Sequence, residues 1–236
     1  MLDLLPWLAV LKHGTDRGRR YTLRKRATSG TIDVIIGCMF SGKTTELIRR
    51  LNSFSETGYE VQAFKPAGDT RYAQDQLVSH PHDGPRHVAT PIPDDESSKI
   101  LSELKVDVGV VGIDEVQFFD PMIVRVCERL VAQGHRVIVA GLDTDFRCMP
   151  FGSTQGLIKM AKELNGSVHS IEAPCAVCGH PAHYTQRMVD GKPASADDPI
   201  KKIGTDDYEP RCEKCHNIEY QSSPQRNSAH GSDSVT

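Results

Sequence analysis

The sequence lacks long hydrophobic runs and a strong net charge of either sign. No stretch approaches the roughly 20 consecutive apolar residues that a helix needs to cross a bilayer. The formal net charge is only −3 over 236 residues, whereas a dedicated nucleic-acid-binding domain is usually strongly basic. Hydrophobic residues nevertheless make up 38% of the chain and charged residues 25%, which excludes a wholly disordered protein. We therefore expect a globular chain whose partners are neither membranes nor nucleic acids.

The two ends differ in composition from the middle of the chain. Residues 1–30 contain seven Lys or Arg against two Asp, and a short apolar run precedes the basic residues instead of following them. A secretory signal has the opposite order, so we predict a disordered basic extension at 1–30, with a transit segment or a start site assigned too early as the alternatives. Residues 219–236 are rich in Ser and poor in apolar residues, and we predict a disordered tail there.

Between the ends, short apolar runs alternate with segments of helical period. Strands are predicted at 31–36, 60–64, 106–113, 136–141 and 168–171. Three helices are predicted. The first ends at Gly58, the second begins at the Asp120-Pro121 pair with a buried Met122, and the third runs over 153–164. Because strands that alternate with helices imply parallel crossover connections, we predict an α/β fold over residues 31–171, with helices on both faces of the sheet. The composition changes after Ile171, and residues 172–218 are predicted to form a separate small domain.

Residues 37–44 fit the phosphate-loop pattern G-x-x-x-x-G-K-[ST], directly after a predicted strand and before a predicted helix. Glycines let the backbone curl so that successive N–H groups point at phosphate oxygens. Lys43 can reach the β- and γ-phosphates, and the Thr44 hydroxyl can hold Mg²⁺. We therefore predict a site for a nucleotide with Mg²⁺. Its residues are Gly37, Cys38, Met39, Phe40, Ser41, Gly42, Lys43, Thr44 and Thr45.

Two carboxylates, Asp114 and Glu115, follow the predicted strand that ends at Ile113. Parallel strands deliver their carboxyl ends to one edge of a sheet, where ligands bind, so we expect Asp114 near the Mg²⁺ of the bound nucleotide. Glu115 is the candidate catalytic residue, because this neighbouring carboxylate is free to take a proton from an attacking oxygen. The pattern leaves open whether that oxygen belongs to water or to a substrate hydroxyl. A solvated Asp-Glu pair at a strand end is the alternative.

Four of the seven cysteines form two C-x-x-C pairs, Cys175 with Cys178 and Cys212 with Cys215. Four thiolates at this spacing are typical of one tetrahedral Zn²⁺. The odd number of cysteines argues against a disulfide framework and favours a reducing, cytoplasmic compartment. Four Cys ligands leave no open position, so we expect the zinc to be structural and distant from the phosphates. Reversible dithiols, or His216 in place of one cysteine, are the alternatives.

Five different motifs follow one another along the chain, at residues 39–47, 65–72, 113–119, 141–147 and 150–152. With the two cysteine pairs, they resemble the motifs of the type II thymidine kinases, the cytosolic and bacterial kind, over about Thr31 to His216. The resemblance implies a P-loop NTPase fold of the RecA-like kind, with a small zinc-stabilised lasso domain between the cysteine pairs. It also implies a homotetramer that transfers the γ-phosphate of ATP to the 5′-hydroxyl of thymidine or deoxyuridine in deoxynucleotide salvage.

The resemblance also implies roles for individual residues. Glu115 is the general base on the nucleoside hydroxyl, Thr185 lies at the pocket for the thymine methyl group, and Tyr208 lies near the base and sugar. The implied nucleoside-binding residues are Met39, Phe118, Leu142, Phe146, Phe151, Thr185, Ile203, Gly204 and Tyr208. For the aromatic ones, plain core packing is the alternative. The implied residues near ATP and magnesium, besides the loop, are Asp69, Arg71, Asp114, Glu115, Val116 and Gln117.

Two other functions fit the residues less completely. An ATP-driven switch or motor would use Glu115 to activate water and the cysteine pairs to hold a partner, but no basic patch with interleaved aromatic residues lies near the cysteines. A zinc-stabilised nucleotide-binding module without catalysis would not need both Lys43 and Glu115. ATP turnover measured with and without thymidine distinguishes the kinase from both.

Overall fold

The central feature of the chain is a seven-stranded, mostly parallel sheet, seen in a computed structural model that describes residues 30–69, 74–79, 84–200 and 207–218. The strands are β1 (Thr31–Ile36), β2 (Val61–Pro66), β3 (Gln76–Val78), β4 (Arg86–Ile92), β5 (Val110–Ile113), β6 (Arg136–Gly141) and β7 (Ser167–Ser170). Their order is β3-β4-β2-β5-β6-β1-β7, and every neighbouring pair is parallel except β3 with β4. The loops that follow the parallel strands therefore meet at one edge.

Helices cover both faces of this sheet. They are α1 (Lys43–Glu56), α2 (Lys99–Glu103), α3 (Ile123–Ala132) and α4 (Thr154–Glu163), with a 3-10 turn at Val116–Phe118. Alternation along β1 produces two layers: Ile32 and Val34 pack in the cluster with α3 and α4, whereas Ile35 packs in the cluster with α1. The predicted α/β fold, a parallel sheet flanked by helices, is confirmed.

The predicted strands and helices of the core are present, and one strand differs at its start. The strand predicted at 106–113 begins only at Val110. The chain turns at Asp107, where φ is 69°, and Val106 is 85% exposed. The apolar run was therefore longer than the buried strand that it indicated.

The helix predicted from Asp120 begins three residues later, at Ile123. The Asp120 carboxylate accepts hydrogen bonds from the Met122 N–H (2.8 Å) and the Ser97 hydroxyl (2.7 Å). Asp120 therefore belongs to a turn that precedes the helix. Met122 lies in that turn and is 53% exposed, so its predicted burial is wrong.

After β7 the chain forms two small antiparallel sheets. One pairs β8 (Ala173–Pro174) with β9 (Pro181–Ala182), and the other pairs β10 (Tyr184–Val189) with β11 (Lys192–Pro193) and β12 (Tyr208–Arg211). The first cysteine pair lies in the turn between β8 and β9, and the second follows β12. The division into separate domains at residue 172 stays a prediction.

Some predictions concern residues that the structure does not describe. The predicted tail at 219–236, and all of the predicted extension at 1–30 except Gly30, lie outside the described residues. The predicted site residues Arg71, Ile203 and Gly204 lie outside them as well. Among the helices in the described ranges, none combines the length and the apolar character that crossing a membrane requires.

Candidate functional site

Four loops meet at the carboxyl edge of the parallel sheet. The phosphate loop (residues 37–42) follows β1, and the segment with Asp69 follows β2. Asp114 follows β5, and Leu142 follows β6. Parallel pairing of β1 with β6, β6 with β5 and β5 with β2 places these strand ends side by side. The edge that binds ligands in such folds therefore collects these four predicted parts of the site.

Glycines hold the phosphate loop in a curled conformation. Gly37 has a φ of 147°, and a Cβ there would lie 2.2 Å from the backbone oxygen of Ile171, so only glycine fits. Gly42 has a φ of 90° and stands at the N-terminus of α1, whose positive end faces the loop. The Lys43 ammonium donates to the Cys38 carbonyl oxygen at 2.7 Å, so it is folded back over the loop. This arrangement can receive a polyphosphate.

One polar group of the loop makes no hydrogen bond. The Ser41 hydroxyl oxygen is buried and has no partner within the described part of the chain. Buried polar groups are almost always hydrogen-bonded, so each exception needs an explanation. A phosphate oxygen in the loop would accept a hydrogen bond from this hydroxyl, and Ser41 therefore fits a phosphate ligand.

Thr44 and Asp114 join the phosphate loop to the acidic strand end. The Thr44 hydroxyl donates to Asp114 Oδ2 at 2.9 Å. Burial, together with the charges of Glu115 and Asp69, raises the pKa of Asp114 to about 7, although the hydrogen bond from Thr44 opposes the rise. A divalent cation would relieve this repulsion, and hydroxyl and carboxylate oxygens are ligands that Mg²⁺ prefers. The pair therefore fits a magnesium site.

Asp69 has a buried partner that sequence reasoning missed. The Lys65 ammonium, near the end of β2, lies 3.6 Å from Asp69 Oδ2, and the two residues are 3% and 8% exposed. Lysine is almost never fully buried unless it is paired. The lysine in a buried apolar strand was the signal that could have identified it. Lys65 therefore balances the charge of Asp69 beside Asp114.

Glu115 leaves the strand in a left-handed backbone conformation, with φ 49° and ψ 41°. Such conformations are costly for residues other than glycine and cluster at functional sites. Its N–H donates to Asp114 Oδ1 at 3.0 Å, and its carboxylate accepts a hydrogen bond from Gln117 Nε2. Asp114 is 6% exposed, whereas Glu115 is only half-buried. The two adjacent carboxylates therefore differ: one faces Thr44, and the other can contact a substrate.

Several predicted nucleoside-binding residues come together. Phe118 and Phe151 pack edge to face with 5.6 Å between the ring centres. The Met39 N–H donates to Thr185 Oγ1 at 3.0 Å, so β10 lies against the phosphate loop. The neighbouring strand β12, which pairs with β10, carries Tyr208. The structure thus brings predicted residues from the loop and from the segment between the cysteine pairs into contact.

Other predicted residues are placed differently. Val116 is fully buried, and its side chain packs in the hydrophobic core instead of facing the sheet edge. Phe146 is 3% exposed, and the guanidinium carbons of Arg147 and Arg187 lie 5.8 and 5.5 Å from its ring centre. Thr45 lines a groove along α1 together with Arg49 and Asn52. For Phe146 this environment favours packing with arginine, which the sequence pattern did not indicate.

The four paired cysteines converge on one point. All of their Sγ atoms lie within 4.8 Å of one another, in Cys175, Cys178, Cys212 and Cys215. Two of the separations are 3.5 and 3.6 Å. Four thiolates about 2.3 Å from a tetrahedral Zn²⁺ would lie about 3.8 Å apart, so the cluster fits this metal. The His216 ring instead donates to a backbone carbonyl in the loop after β6, at 3.0 Å.

The paired cysteines pack directly against the phosphate loop. Cys38 is 2% exposed and belongs to the same buried cluster as Cys175 and Cys212. Its thiol donates to the Ala182 carbonyl oxygen at 3.4 Å. The expected distance of the metal site from the phosphates stays a prediction. The contact with Cys38 follows from the sheet: β7 pairs beside β1, so the turn that follows β7 lies over the loop that follows β1.

A protein-family model matches this chain over most of its length. The family model described as thymidine kinase matches residues 30–216. The matched range includes the phosphate loop, the acidic strand end and both cysteine pairs. Among solved structures, the flagellar accessory protein FlaH from Methanocaldococcus jannaschii is similar at 12% sequence identity, over 56% of this chain and 67% of that chain, with a TM-score of 0.35. At that TM-score the likeness indicates nothing about function.

Proposed function

The chain belongs to the thymidine kinase family, and we propose that it transfers the γ-phosphate of ATP to the 5′-hydroxyl of thymidine or deoxyuridine. With thymidine the products are dTMP and ADP, which makes this a reaction of pyrimidine deoxynucleotide salvage. The observation that carries the proposal is the hydrogen bond of 2.9 Å between Thr44 and Asp114. It brings the phosphate loop and a metal-binding carboxylate together, directly beside Glu115.

The phosphate loop binds the triphosphate of ATP. Its backbone N–H groups and the N-terminus of α1 face the phosphates, and Lys43 contributes the positive charge. Thr44 and Asp114 would hold Mg²⁺, which would supply positive charge against the phosphates of ATP. The burial of Asp114 beside the charges of Glu115 and Asp69, which together raise its pKa, supports this role, because a cation there would offset the clustered negative charge.

Glu115 acts as the general base. Its carboxylate accepts the proton of the 5′-hydroxyl while the hydroxyl oxygen attacks the γ-phosphorus. The bond between the γ-phosphorus and the β–γ bridging oxygen breaks, and ADP leaves with that oxygen and its electron pair. The partial exposure of Glu115 supports this role, because the base must contact the substrate, while Asp114 is turned towards Thr44.

The nucleoside binds between the phosphate loop and β10. Met39 and Thr185 lie on the two sides of this junction, with the Phe118–Phe151 pair at the sheet edge and Tyr208 on the strand beside β10. Aromatic and apolar surface suits a pyrimidine ring and its methyl group. A pocket that closes around the nucleoside also excludes water, which would otherwise compete as phosphate acceptor.

The four paired cysteines would hold a structural Zn²⁺ and so fix both ends of the segment between them. With four thiolate ligands the ion would have no open position, so its role would be to stabilise the fold. The packing of Cys38 against Cys175 and Cys212 links the metal site to the phosphate loop. We therefore expect metal binding to affect ATP as well as thymidine.

Replacing Cys212 with serine should remove the zinc and raise KM for ATP as well as for thymidine, each about tenfold or more. The α/β core has its own buried clusters, so the helix content should be kept. Elemental analysis and the two KM values are the measurements. Val177→Ser, a change at a position 60% exposed in the same turn, is the matched control and should alter neither. A zinc-free variant with an unchanged KM for ATP would contradict the proposed link between the metal site and the phosphate loop.

The assembly and location follow from the family resemblance and the cysteines. We propose a homotetramer in the cytoplasm, with ATP and the nucleoside as partners. None of the seven cysteines, all of which lie in described ranges, forms a disulfide, which supports a reducing compartment. Molar mass in solution, measured by light scattering, tests the tetramer.

A panel of nucleosides tests the proposed function. ADP formation is measured with ATP and, in turn, thymidine, deoxyuridine, deoxycytidine and no nucleoside. We expect turnover with the first two and almost none without nucleoside. Equal ATP hydrolysis with and without nucleoside would contradict the kinase and favour an ATP-driven switch. Absence of turnover under every condition would favour a binding module.

A further inference from the structure

The side chain of Gln117 lies between the end of β6 and Glu115. It belongs to the 3-10 turn that follows Glu115 and is 3% exposed. Its Oε1 accepts a hydrogen bond from the Leu142 N–H at 3.0 Å, and its Nε2 donates to Glu115 Oε2. The amide therefore connects a fixed backbone group to the carboxylate of the proposed base.

The direction of this amide is determined by the backbone. The Leu142 N–H can only donate, so it requires the oxygen of the Gln117 amide on its side. Rotating the amide by 180° would place two donors against each other and leave a buried N–H without an acceptor. The NH₂ group of Gln117 therefore faces Glu115 and donates to its carboxylate.

Two glycines make room for Gln117 at the sheet edge. A Cβ at Gly141 would lie 2.5 Å from Gln117 Oε1, and a Cβ at Gly152 would lie 2.2 Å from the Gln117 backbone oxygen. The first glycine ends β6, and the second precedes α4. The segment at Gly152 thus approaches the Gln117 backbone more closely than any other residue type would allow, and the missing side chain at Gly141 leaves the room that the Gln117 amide occupies.

We propose that Gln117 is a positioning residue, which holds the Glu115 carboxylate where it accepts the proton of the nucleoside 5′-hydroxyl. Glu115 is half-buried and stands in a left-handed backbone conformation, and the hydrogen bond from Gln117 Nε2 favours one orientation of its carboxylate. A misplacement of about 1 Å at a reacting group costs about a hundredfold in rate. The inference rests on the proposed function, and it gives Gln117 a role other than ATP contact.

Two substitutions separate this role from packing. Gln117→Glu keeps the shape and the acceptor for the Leu142 N–H, but it replaces the donor to Glu115 with a second carboxylate. Gln117→Met keeps the size and has neither group. In Gln117→Met we expect kcat to fall about 10- to 100-fold, while KM for ATP and for thymidine changes about twofold or less. In Gln117→Glu we expect kcat to fall at least as far, with a higher KM for ATP because the added negative charge joins the carboxylates at the metal site. Gln155→Met is the matched control, because the Gln155 amide donates to an exposed backbone oxygen at 3.2 Å, and kcat should stay at the wild-type value.

The same substitutions in a Glu115→Gln background test the route of action. If Gln117 acts through Glu115, Gln117→Met lowers kcat strongly in the wild-type protein and hardly at all in Glu115→Gln protein. Should Gln117→Met fail to fold, Gln117→Glu takes its place in this cycle. Equal factors in both backgrounds, or wild-type kcat in both single variants, would overturn the positioning role. Wild-type kcat in Glu115→Gln alone would instead overturn the proposed base, so the two failures are distinguishable.

Discussion

Replacing Lys43 with methionine should lower kcat about 10³-fold or more and leave the fold intact. Methionine keeps the apolar stem of a side chain that is only 8% exposed, but it lacks the ammonium. That ammonium already lies within the phosphate loop, where it donates to the Cys38 carbonyl oxygen at 2.7 Å. The γ-phosphate gains most from this charge in the transition state, because negative charge then moves onto its oxygens and the leaving group.

Transfer from ATP to thymidine measures the effect of Lys43→Met, and circular dichroism checks the fold. Lys159→Met is the matched control: this exposed lysine of α4 lies 3.8 Å from the exposed Glu163, and its substitution should keep wild-type kcat. If Lys43→Met transferred phosphate as fast as the control, the loop at residues 37–42 would not bind the reacting phosphates.

The phosphate loop and the acidic strand end could be predicted because their signals are local or follow a general rule. A positive φ or a close backbone approach requires glycine, and Gly37 and Gly42 meet these needs within six residues of sequence. Asp114 could be placed near the loop without knowing which strands pair, since parallel strands end at one edge. The signal of the four cysteines was equally local, because each C-x-x-C pair has a fixed spacing in the sequence.

The strands β3 and β4 gave no such signal. In the described part of the sheet β3 is the outermost strand, and β4 lies between β3 and β2 with only two of its seven residues buried. In β4, Val88 is 74% exposed and Pro91 interrupts the pattern of strand formers. The continuous apolar run that identified Val110–Ile113 is typical of a central strand, so it could not identify these two.

Contacts between distant parts of the chain could not be read from the sequence. The packing of Cys38 against Cys175 depends on β7 pairing beside β1, which spacing does not reveal. The same holds for Gln117, whose amide meets Leu142 only because β5 and β6 are neighbours. The family resemblance placed Gln117 near ATP, whereas the structure shows that its Oε1 accepts from the Leu142 N–H and its Nε2 donates to Glu115.

Replacing Glu115 with glutamine should lower kcat about 10²- to 10⁴-fold and leave substrate binding intact. Glutamine has nearly the same shape, and its side-chain oxygen can still accept the hydrogen bond from Gln117. Its amide cannot take the proton of the 5′-hydroxyl, however, so the loss should appear in kcat and not in KM for thymidine. Glu163→Gln, an exposed change on α4, is the matched control for both values.

ATP binding should not weaken in Glu115→Gln protein. The direction of the change in affinity follows from the ionisation of Asp114. Burial, together with the charges of Glu115 and Asp69, raises the pKa of Asp114 to about 7. Removing the charge at position 115 lowers that pKa, so a larger fraction of Asp114 is ionised at neutral pH and able to hold Mg²⁺. Calorimetric titration with ATP and Mg²⁺ should therefore show equal or tighter binding. Near wild-type kcat would remove Glu115 from the role of base, and a joint loss of kcat and of ATP binding would make it a metal ligand instead.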